Sequence, residues 1–490
     1  MKKINIIGGL IGVWLLISCN SWLDLKPYGE VEQDKMFEEE QGFIQTLTGS
    51  YLLLTDPSAY GRELTVGFPD EIVRYWKKRS EFYEFDYSDA EVVGRLDATW
   101  LQMYKAIANT NLVLQNLVGK DPADFEYYNL IKGEALGLRA YLHLDLLRLY
   151  GPVLKEGGME EKAIPYHEEF SNQTVRLMTA GEVVSRIQRD LDSAYVLLAD
   201  DPIKLYGRDE DKDREDWEEI TAPEVKGLAF SYRGCRMNYY AVCATLARLY
   251  MLKEDYANAL KYAGEILTDG KELFTLVKRS DMSGGSKDVM FERELIWSLY
   301  DQKTETHLSA VMKKVDFTFD SYFNDYVYTD ARCYGSEEDY RWNYWFEYSK
   351  TTPAFWYLNK YTRTYSTADQ SDQTPFKTVV PMIRLSEVYY MAAEACLKTD
   401  PAEAFRLLNE VRMSRNISEL PETLKNDAGE LFNQMIYEYQ KDFWGEGKLF
   451  YLYKRLFLDI DTRDESVKAS RNIYKLPVPE DEIEFGDNNQ

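Results

Sequence analysis

Small residues at helical spacing constrain the fold of this chain more than any other feature of its sequence. Between Asn238 and Leu267, Leu246, Ala247 and Ala259 fall where tetratricopeptide repeats place the residues that pack two helices together. Alanine at such positions lets neighbouring helices approach closely. The spacing therefore predicts a helical hairpin, and it serves packing rather than ligand chemistry.

A second segment, Arg384 to Arg415, repeats this plan, with alanines at 392, 393 and 395 before a turn at Asp400-Pro401. Apolar periodicity elsewhere predicts further helices. We therefore expect an all-α fold, a scaffold of tetratricopeptide-like helix pairs with long irregular insertions that form a ligand-binding face. The helical segments are predicted mainly over 37–55, 96–150, 179–200, 238–268, 381–415 and 429–456.

Local signals mark where two of these helices begin and end. Thr179 is followed three residues later by Glu182, the arrangement of a capping box at a helix N-terminus. Gly151-Pro152 follows an unusually apolar helical segment and predicts its end.

The N-terminus has the pattern of a bacterial lipoprotein signal. Lys2 and Lys3 precede an apolar run too short to cross a bilayer, and Leu16-Ile17-Ser18-Cys19 closes that run with a small residue before cysteine. We expect residues 1–18 to be a signal peptide and Cys19 to carry the lipid. Residues 19–490 would then form a single mature domain, tethered to a membrane and soluble beyond the anchor.

Charge and cysteine content exclude several classes of protein. The formal net charge is -25, and it becomes -27 once Lys2 and Lys3 are removed with the signal. Nucleic acids and anionic lipids need clustered Lys and Arg, so neither is an expected ligand. Four cysteines besides Cys19 are too few for a disulfide scaffold and predict buried free thiols, namely Cys235, Cys243, Cys333 and Cys396.

Catalytic signatures are missing from the sequence. The three histidines are widely spaced and form no metal-ligand pattern, and no G-x-S-x-G occurs. We expect no cofactor and no metal site. A pair of acids for glycoside hydrolysis can come from anywhere among 83 carboxylates, so a lipid-anchored glycoside hydrolase stays open as an alternative.

An aromatic-rich insertion, residues 316–367, carries the positive chemistry. From Phe317 to Tyr365, 18 of 49 residues are aromatic, more than twice the 14% of the whole chain. Sugar rings lay their C–H faces on Trp and Tyr, while their hydroxyls bond planar polar groups. The candidate platforms with their polar neighbours are Tyr322, Tyr326, Trp342, Tyr344, Trp345, Asp325, Asn343 and Arg341.

A second, weaker cluster lies nearer the N-terminus, in Asp70, Arg74, Tyr75 and Trp76. Aromatic residues also build cores, so packing is the competing interpretation for every ring in both clusters.

Ordered motifs along the whole chain resemble a known family. The chain is similar to the SusD/RagB-like nutrient-binding lipoproteins of the Bacteroidetes outer membrane. Near the C-terminus it departs from the family pattern at Asp442-Phe443, Lys448-Leu449 and Tyr453-Lys454-Arg455. The matching residues are Cys19 to Pro27, Trp100, Tyr104, Ile107, Asn111, Arg139-Ala140-Tyr141, Tyr150-Gly151-Pro152, Ile164-Pro165-Tyr166, Arg176, Asp190-Leu191, Ala194, Pro381, Arg384, Glu387, Ala393-Glu394-Ala395, Asn409, Val411-Arg412, Glu446-Gly447, Leu476 to Pro479 and Glu482.

The resemblance implies four tetratricopeptide-like helix pairs, irregular insertions that bind ligand, and no catalysis. It also implies a partner, a SusC-like TonB-dependent outer-membrane barrel over which the lipoprotein closes as a lid at the cell surface. The expected ligand is an oligosaccharide. Peptide capture and a pure helical-repeat interaction scaffold are the alternatives among non-enzymes.

Overall fold

Helices dominate the computed structural model, which describes residues 35–76, 80–208, 232–283, 288–312, 338–349, 355–358, 360–361, 378–461 and 466–486. This confirms the all-α prediction. Up to residue 283 the helices are α1 (Glu40–Leu54), α2 (Glu63–Val66), α3 (Phe68–Ile72), α4 (Ala90–Leu117), α5 (Tyr128–Tyr150), α6 (Ala180–Leu197), α7 (Ile203–Tyr206), α8 (Tyr239–Leu252) and α9 (Tyr256–Thr268).

The C-terminal part combines helices with short strands. Its elements are β1 (Leu295–Tyr300), α10 (Thr304–Met312), α11 (Tyr340–Trp345), β2 (Phe346–Ser349), β3 (Phe355–Leu358), β4 (Val379–Arg384), α12 (Leu385–Cys396), α13 (Pro401–Ser414), α14 (Ala428–Asp442), α15 (Leu449–Leu456), β5 (Ile460–Asp461), β6 (Ser466–Val467), α16 (Arg471–Tyr474) and α17 (Glu480–Phe485).

Within the described segments, the long helices pack as a series of pairs. Helix α1 packs on α4, α5 on α6, α8 on α9, and α12 on α13. Contacts of α4 with α5, of α6 with α8, and of α9 with α12 join each pair to the next. Stacked helix pairs of this kind bury one continuous core, which is the architecture of a helical-repeat scaffold.

Both predicted hairpins are present. Asn238 caps α8 by accepting a hydrogen bond from the Ala241 backbone, and Asp255 caps α9 in the same way from Asn258. The side chains of Ala247 and Ala259 are buried between the helices. In the second hairpin Asp400 caps α13, whose first residue is Pro401.

The predicted helical segment 381–415 is corrected at its start. Residues Val379–Arg384 form strand β4, and the helix begins only at Leu385. Strand β4 pairs antiparallel with β1, with Ser298 opposite Pro381 and Tyr300 opposite Val379. The other sheets in the described segments are the antiparallel pairs β2–β3 and β5–β6.

The predicted helix boundaries are confirmed. The Thr179 hydroxyl accepts from the Glu182 backbone at 3.2 Å, and the Glu182 carboxylate accepts from the Thr179 backbone at 2.8 Å. Helix α5 ends at Tyr150, directly before Gly151. None of the helices in the described segments combines the length and hydropathy that crossing a membrane requires.

Three of the cysteines lie in the described segments, and all three are free thiols. Cys243 and Cys396 are buried, as predicted, whereas Cys235 is half-buried. Burial raises the pKa of the Cys243 thiol, which keeps it protonated and unreactive. Cys333 and Cys19 lie outside the described residues.

A glycine allows α5 to approach α8 closely. A Cβ atom at Gly137 would lie 2.8 Å from Met237 Cγ and 3.0 Å from Val242 Cγ2, closer than normal van der Waals contact. Gly94 offers a contrast on α4, because nothing lies within 4 Å of a Cβ added there.

We predict that Gly137→Leu lowers the free energy of unfolding by about 1–3 kcal/mol, because the new side chain overpacks the α5–α8 contact. Gly94→Leu adds the same side chain to an exposed helical position and is expected to be neutral or stabilising by up to about 1 kcal/mol. Urea unfolding followed by circular dichroism measures both. Equal destabilisation of the two variants would contradict the close approach.

Candidate ligand-binding site

Asp442, the last residue of α14, is the centre of a buried ionic network. Its carboxylate lies 3.0 Å from Arg415 Nε, 3.3 Å from Arg341 Nη1 and 4.0 Å from Arg384 Nη1. All four side chains are fully buried. Because the three arginines follow α13, lie in α11 and end β4, one carboxylate joins segments that are far apart in the sequence.

Three further carboxylates extend this network. Glu438 lies 2.8 Å from Arg341, Glu446 lies 2.8 Å from Arg384, and Glu294 pairs with Arg415. A buried charge is tolerated only where such partners are present. The network therefore requires all of these segments to be in place together.

The pKa values of the acids report this pairing. Burial alone would raise the pKa of Asp442, but the guanidinium groups of Arg415, Arg384 and Arg341 outweigh burial and hold that pKa well below its usual value. The same opposition, with Arg384 and Lys360 as the main cations, lowers the pKa of Glu446 to about 2.

Two glycines place Glu446 in the network. Gly445 and Gly447 have φ values of +67° and +63°, the left-handed region that favours glycine. A Cβ atom at Gly447 would lie 2.0 Å from the carbonyl oxygen of Leu64. The chain can therefore turn tightly around Glu446 and pass against α2.

Helix α11 is fastened to the network at its start and end. Asp339 caps the helix by accepting from the Arg341 backbone at 2.9 Å, and its carboxylate also lies 2.7 Å from the Arg341 guanidinium. At the helix end the Trp345 indole is fully buried and donates to the Val289 carbonyl at 2.6 Å. The Lys360 ammonium lies 4.0 Å from the ring centre, a cation–π contact.

Five aromatic residues meet beside this network, and we call them the aromatic cluster: Tyr75, Trp76, Trp342, Phe346 and Trp444. The Trp444 ring stacks on Tyr75, with centroids 4.0 Å apart and planes 26° apart. It meets the edges of Trp76 and Phe346, each at 5.6 Å between centroids. Phe346 in turn contacts Trp342 at 5.5 Å. Trp444 thus connects the two regions that the sequence singled out.

Trp444 is the member of this cluster that reaches the surface. Its side chain is half-buried, whereas the other four rings are buried. The Tyr75 hydroxyl donates to the carbonyl of Gln440, which fixes the stacked ring against α14. A partly exposed indole held between packed rings is a rigid apolar platform.

The predicted binding residues differ in how far their side chains are exposed to solvent. Asn343 is exposed, and Arg74 and Tyr344 are half-buried. Six others are buried, and the contacts described above place Arg341 in the ionic network and most of the others in or beside the network and the aromatic cluster. These six are Asp70, Tyr75, Trp76, Arg341, Trp342 and Trp345. The remaining three, Tyr322, Asp325 and Tyr326, lie outside the described residues.

Arg74 extends the cluster region towards a further aromatic surface. Its backbone has φ of +61°, and its guanidinium lies 4.3 Å from the Tyr83 ring centre and 5.3 Å from that of Phe85. It also donates to the Tyr83 carbonyl at 3.3 Å. Tyr83 and Phe85 are both half-buried. The contact orients a cation between two partly exposed rings.

Sequence reasoning missed Trp444 and Phe346. Trp444 directly precedes Gly445-Glu446-Gly447, and an aromatic residue beside two closely spaced glycines is the signal in the sequence that points to it. Phe346 follows the predicted residues Arg341 to Trp345 without a break.

No group of three or more His, Cys, Asp or Glu in the described segments is arranged to hold a metal ion.

Two family models match most of the chain. One, described as SusD-like and starch-binding, associating with the outer membrane, matches residues 21–209. The other, the SusD family, matches residues 279–485. The chain belongs to the SusD/RagB-like family.

Three relatives show how far the sequences in this family have diverged from this chain. SusD-like protein P25 of Formosa agariphila is 22% identical over 313 residues, 61% of this chain and 52% of its own length. The chain therefore matches about half of that relative. A SusD superfamily protein of Bacteroides thetaiotaomicron has a TM-score of 0.67 at 21% identity, covering 90% of this chain and 97% of its own.

A second solved structure, a SusD-like carbohydrate binding protein of Bacteroides vulgatus, has a TM-score of 0.65 at 17% identity. The match covers 90% of this chain and 95% of that one. At these identities the likeness establishes the fold.

We predict that Asp442→Asn lowers the free energy of unfolding at pH 7 by about 3–5 kcal/mol, because three buried guanidinium groups lose a shared counter-charge. Chemical denaturation measures it. As a control, Lys425→Ala breaks an exposed pair with Glu422 and is expected to leave the free energy of unfolding nearly unchanged.

This difference should also depend on pH. The folded-state pKa of Asp442 is lowered, so its stabilising contribution is complete above the unfolded value of about 3.9 and is lost as the pH falls below it. The stabilities of wild type and Asp442→Asn should therefore converge below about pH 4. A constant difference down to pH 2 would contradict the pairing.

Proposed function

We propose that this protein is a non-enzymatic lipoprotein of the outer-membrane surface that captures an oligosaccharide and delivers it to a SusC-like TonB-dependent barrel. The observation that carries the proposal is the half-exposed Trp444 held by the aromatic cluster. Tyr344, Asn343 and Arg74 are the accessible members of the predicted site in the described segments. The residues Tyr322, Asp325 and Tyr326 remain part of the proposed site.

An indole platform supplies the affinity that reversible capture needs. Covering about 60–80 Å² of apolar surface contributes about 2 kcal/mol at the usual area coefficient. Two or three such platforms give weak, reversible binding. Weak binding suits a protein that must release its ligand to a transporter.

Rigidity of the platform favours its use in binding. Trp444 follows Phe443 at the end of α14 and precedes the turn that places Glu446 in the ionic network. Its ring is stacked on Tyr75, which α14 also holds through Gln440. Little conformational freedom is lost when a ligand covers such a ring, so more of the contact energy appears as affinity.

The ligand class follows from the chemistry and from the relatives. One family model is described as starch-binding and associating with the outer membrane, and one structural neighbour is titled a carbohydrate binding protein. Flat aromatic faces beside amide and guanidinium groups suit sugar rings. Oligosaccharide is therefore the first choice, and outer-membrane association is the expected location.

Glycoside hydrolysis is disfavoured at the acids of the ionic network. A hydrolase needs one carboxyl with a raised pKa as general acid and a second facing the same bond. In the ionic network the pKa values of Asp442, Glu438 and Glu446 are all lowered instead. Sustained release of reducing ends from any glycan would overturn the non-enzymatic proposal.

We predict that Trp444→Ala weakens binding to the best ligand of a glycan panel by about ten- to thirtyfold, because about 2 kcal/mol of apolar contact is lost. Isothermal titration calorimetry measures the affinity. Phe170→Ala, which removes an aromatic ring that is 45% exposed elsewhere on the surface, is the control and should bind as wild type does.

A Trp444→Ala variant that is folded by circular dichroism and binds normally would remove Trp444 from the site. Trp345→Ala is a poor test of binding, because loss of a fully buried indole costs about 3–5 kcal/mol of stability. Binding of peptides but of no glycan in the panel would favour the peptide alternative for the same surface.

We predict that Cys19→Ala shifts the protein from the membrane to the soluble fraction, because the acylated cysteine is the proposed anchor. Fractionation followed by immunoblotting measures the distribution, with Cys396→Ala as a control that retains Cys19. If Cys19→Ala still sediments with outer membranes after a high-salt wash, the lipid is not the main anchor. Barrel protein co-purifying with wild type would support the proposed partner.

A further inference from the structure

A pocket of about 160 Å³ lies where α5, α8 and α15 meet, apart from the aromatic cluster. Leu147, Leu252 and Tyr451 supply part of its wall. Its remaining lining is charged, and we call it the basic pocket after the five cations in it: Arg148, Lys155, Lys253, Lys454 and Arg455.

This concentration of positive charge is unusual for the chain, whose formal net charge is -25. The one carboxylate among the lining residues is Glu254. Outside the lining, Arg148 pairs with Asp145, and Arg455 pairs with Glu394 at 2.5 Å. The two guanidinium groups are thus already neutralised.

The three lysines have no carboxylate within ion-pair distance in the part of the chain that the structure describes. Lys155 donates to the Leu456 carbonyl at 2.9 Å, and Lys253 donates to the Gln188 side chain at 2.7 Å. Lys454 donates to the carbonyls of Leu149 and Gly151, at 2.9 and 2.6 Å. Their partners are therefore neutral groups.

Helix ends account for part of this charge. Helices α5 and α8 both end at the pocket, and each C-terminus carries the equivalent of about half a negative charge. The carboxylate of Glu254 balances the charge of one of the three unpaired lysines. The partial negative charges of the two helix ends together balance about one further positive charge. About one positive charge is left over for a ligand.

The burial of Lys454 makes the excess positive charge in the pocket energetically unfavourable. Its side chain is only 5% exposed, and burial, followed by the nearby charges of Lys475 and Arg148, lowers its pKa well below the usual value. Lys475 itself faces Glu161, at 3.6 Å. An anion in the pocket would favour the charged form of Lys454 and relieve this cost.

Donor types in the pocket indicate the class of anion. Carboxylates are recognised best by the planar fork of an arginine; Glu394 occupies two nitrogens of Arg455, and Asp145 occupies one nitrogen of Arg148. Ammonium groups remain, and they act as point charges that suit the three-dimensional arrangement of oxygens on phosphate or sulfate. The buried Nε of Arg148 also has no hydrogen-bond partner among the described residues.

We propose that the basic pocket binds a tetrahedral oxyanion, sulfate or phosphate, through Lys155, Lys253 and Lys454. The site is separate from the proposed nutrient site, and its residues belong to different elements from those of the aromatic cluster. The oxyanion is either a free ion or an ester group on a larger ligand.

Isothermal titration calorimetry of the full chain with sodium sulfate, sodium phosphate and sodium acetate tests the site, with ionic strength held constant by chloride. We expect saturable binding of sulfate or phosphate and at least about tenfold weaker binding of acetate. No saturable heat with either tetrahedral ion overturns the proposal. Equal affinity for acetate overturns the assignment of the anion class.

Substitutions locate the site. Lys155→Gln/Lys253→Gln should weaken oxyanion binding by about tenfold or more, and because both side chains lie towards the surface, folding should be retained. Lys425→Gln/Lys468→Gln removes the same charge from exposed positions elsewhere and should change affinity less than about twofold. Equal effects of the two double variants would overturn the location.

A third variant, Lys454→Met, removes the buried ammonium and is assayed only if circular dichroism shows a native spectrum.

A sulfated monosaccharide and its unsulfated parent distinguish the two sources of the anion. Tighter binding of the ester than of inorganic sulfate identifies a substituent of a larger ligand, and the reverse identifies a free ion.

Discussion

The buried network around Asp442 is the interaction on which the C-terminal half of the fold depends. The guanidinium groups of Arg341, Arg384 and Arg415 lie in the core with the carboxylates that pair with them, and each charge is tolerated only because partners from other segments reach it. Replacing such groups by apolar residues is often neutral or stabilising. We therefore interpret the network as a device that specifies which segments meet rather than as a source of net stability.

The ionic network also brings together the residues of the candidate site. Helix α11 enters the network through Arg341, and the turn after α14 enters it through Glu446. These two attachments bring Phe346 and Trp444 together, and Tyr75 completes the stack from the N-terminal region. The helix pairs supply a broad scaffold, while the ionic network determines where the aromatic rings lie on it.

Local features of the sequence predicted the scaffold well. Alanine spacing, the capping box at Thr179 and the stop at Gly151 act over a few residues, so they can be interpreted without knowing the fold. The long-range partners cannot be predicted in this way. Arg415 and Glu294 are 121 residues apart, and the Tyr75 hydroxyl bonds a carbonyl 365 residues away. For that reason Arg341 and Trp345 resembled ligand-binding residues in sequence, although their partners bury them. Strand β4 was missed for the same reason, because its partner β1 ends almost 80 residues earlier.

We propose that a rigid, partly exposed indole beside the ionic network receives a sugar ring. A crystal structure of the protein with a bound oligosaccharide from the binding panel tests this most directly. We expect a sugar ring in contact with the exposed part of Trp444, with Asp442 still paired to its three arginines. An oligosaccharide bound elsewhere, with Trp444 uncovered, would contradict it.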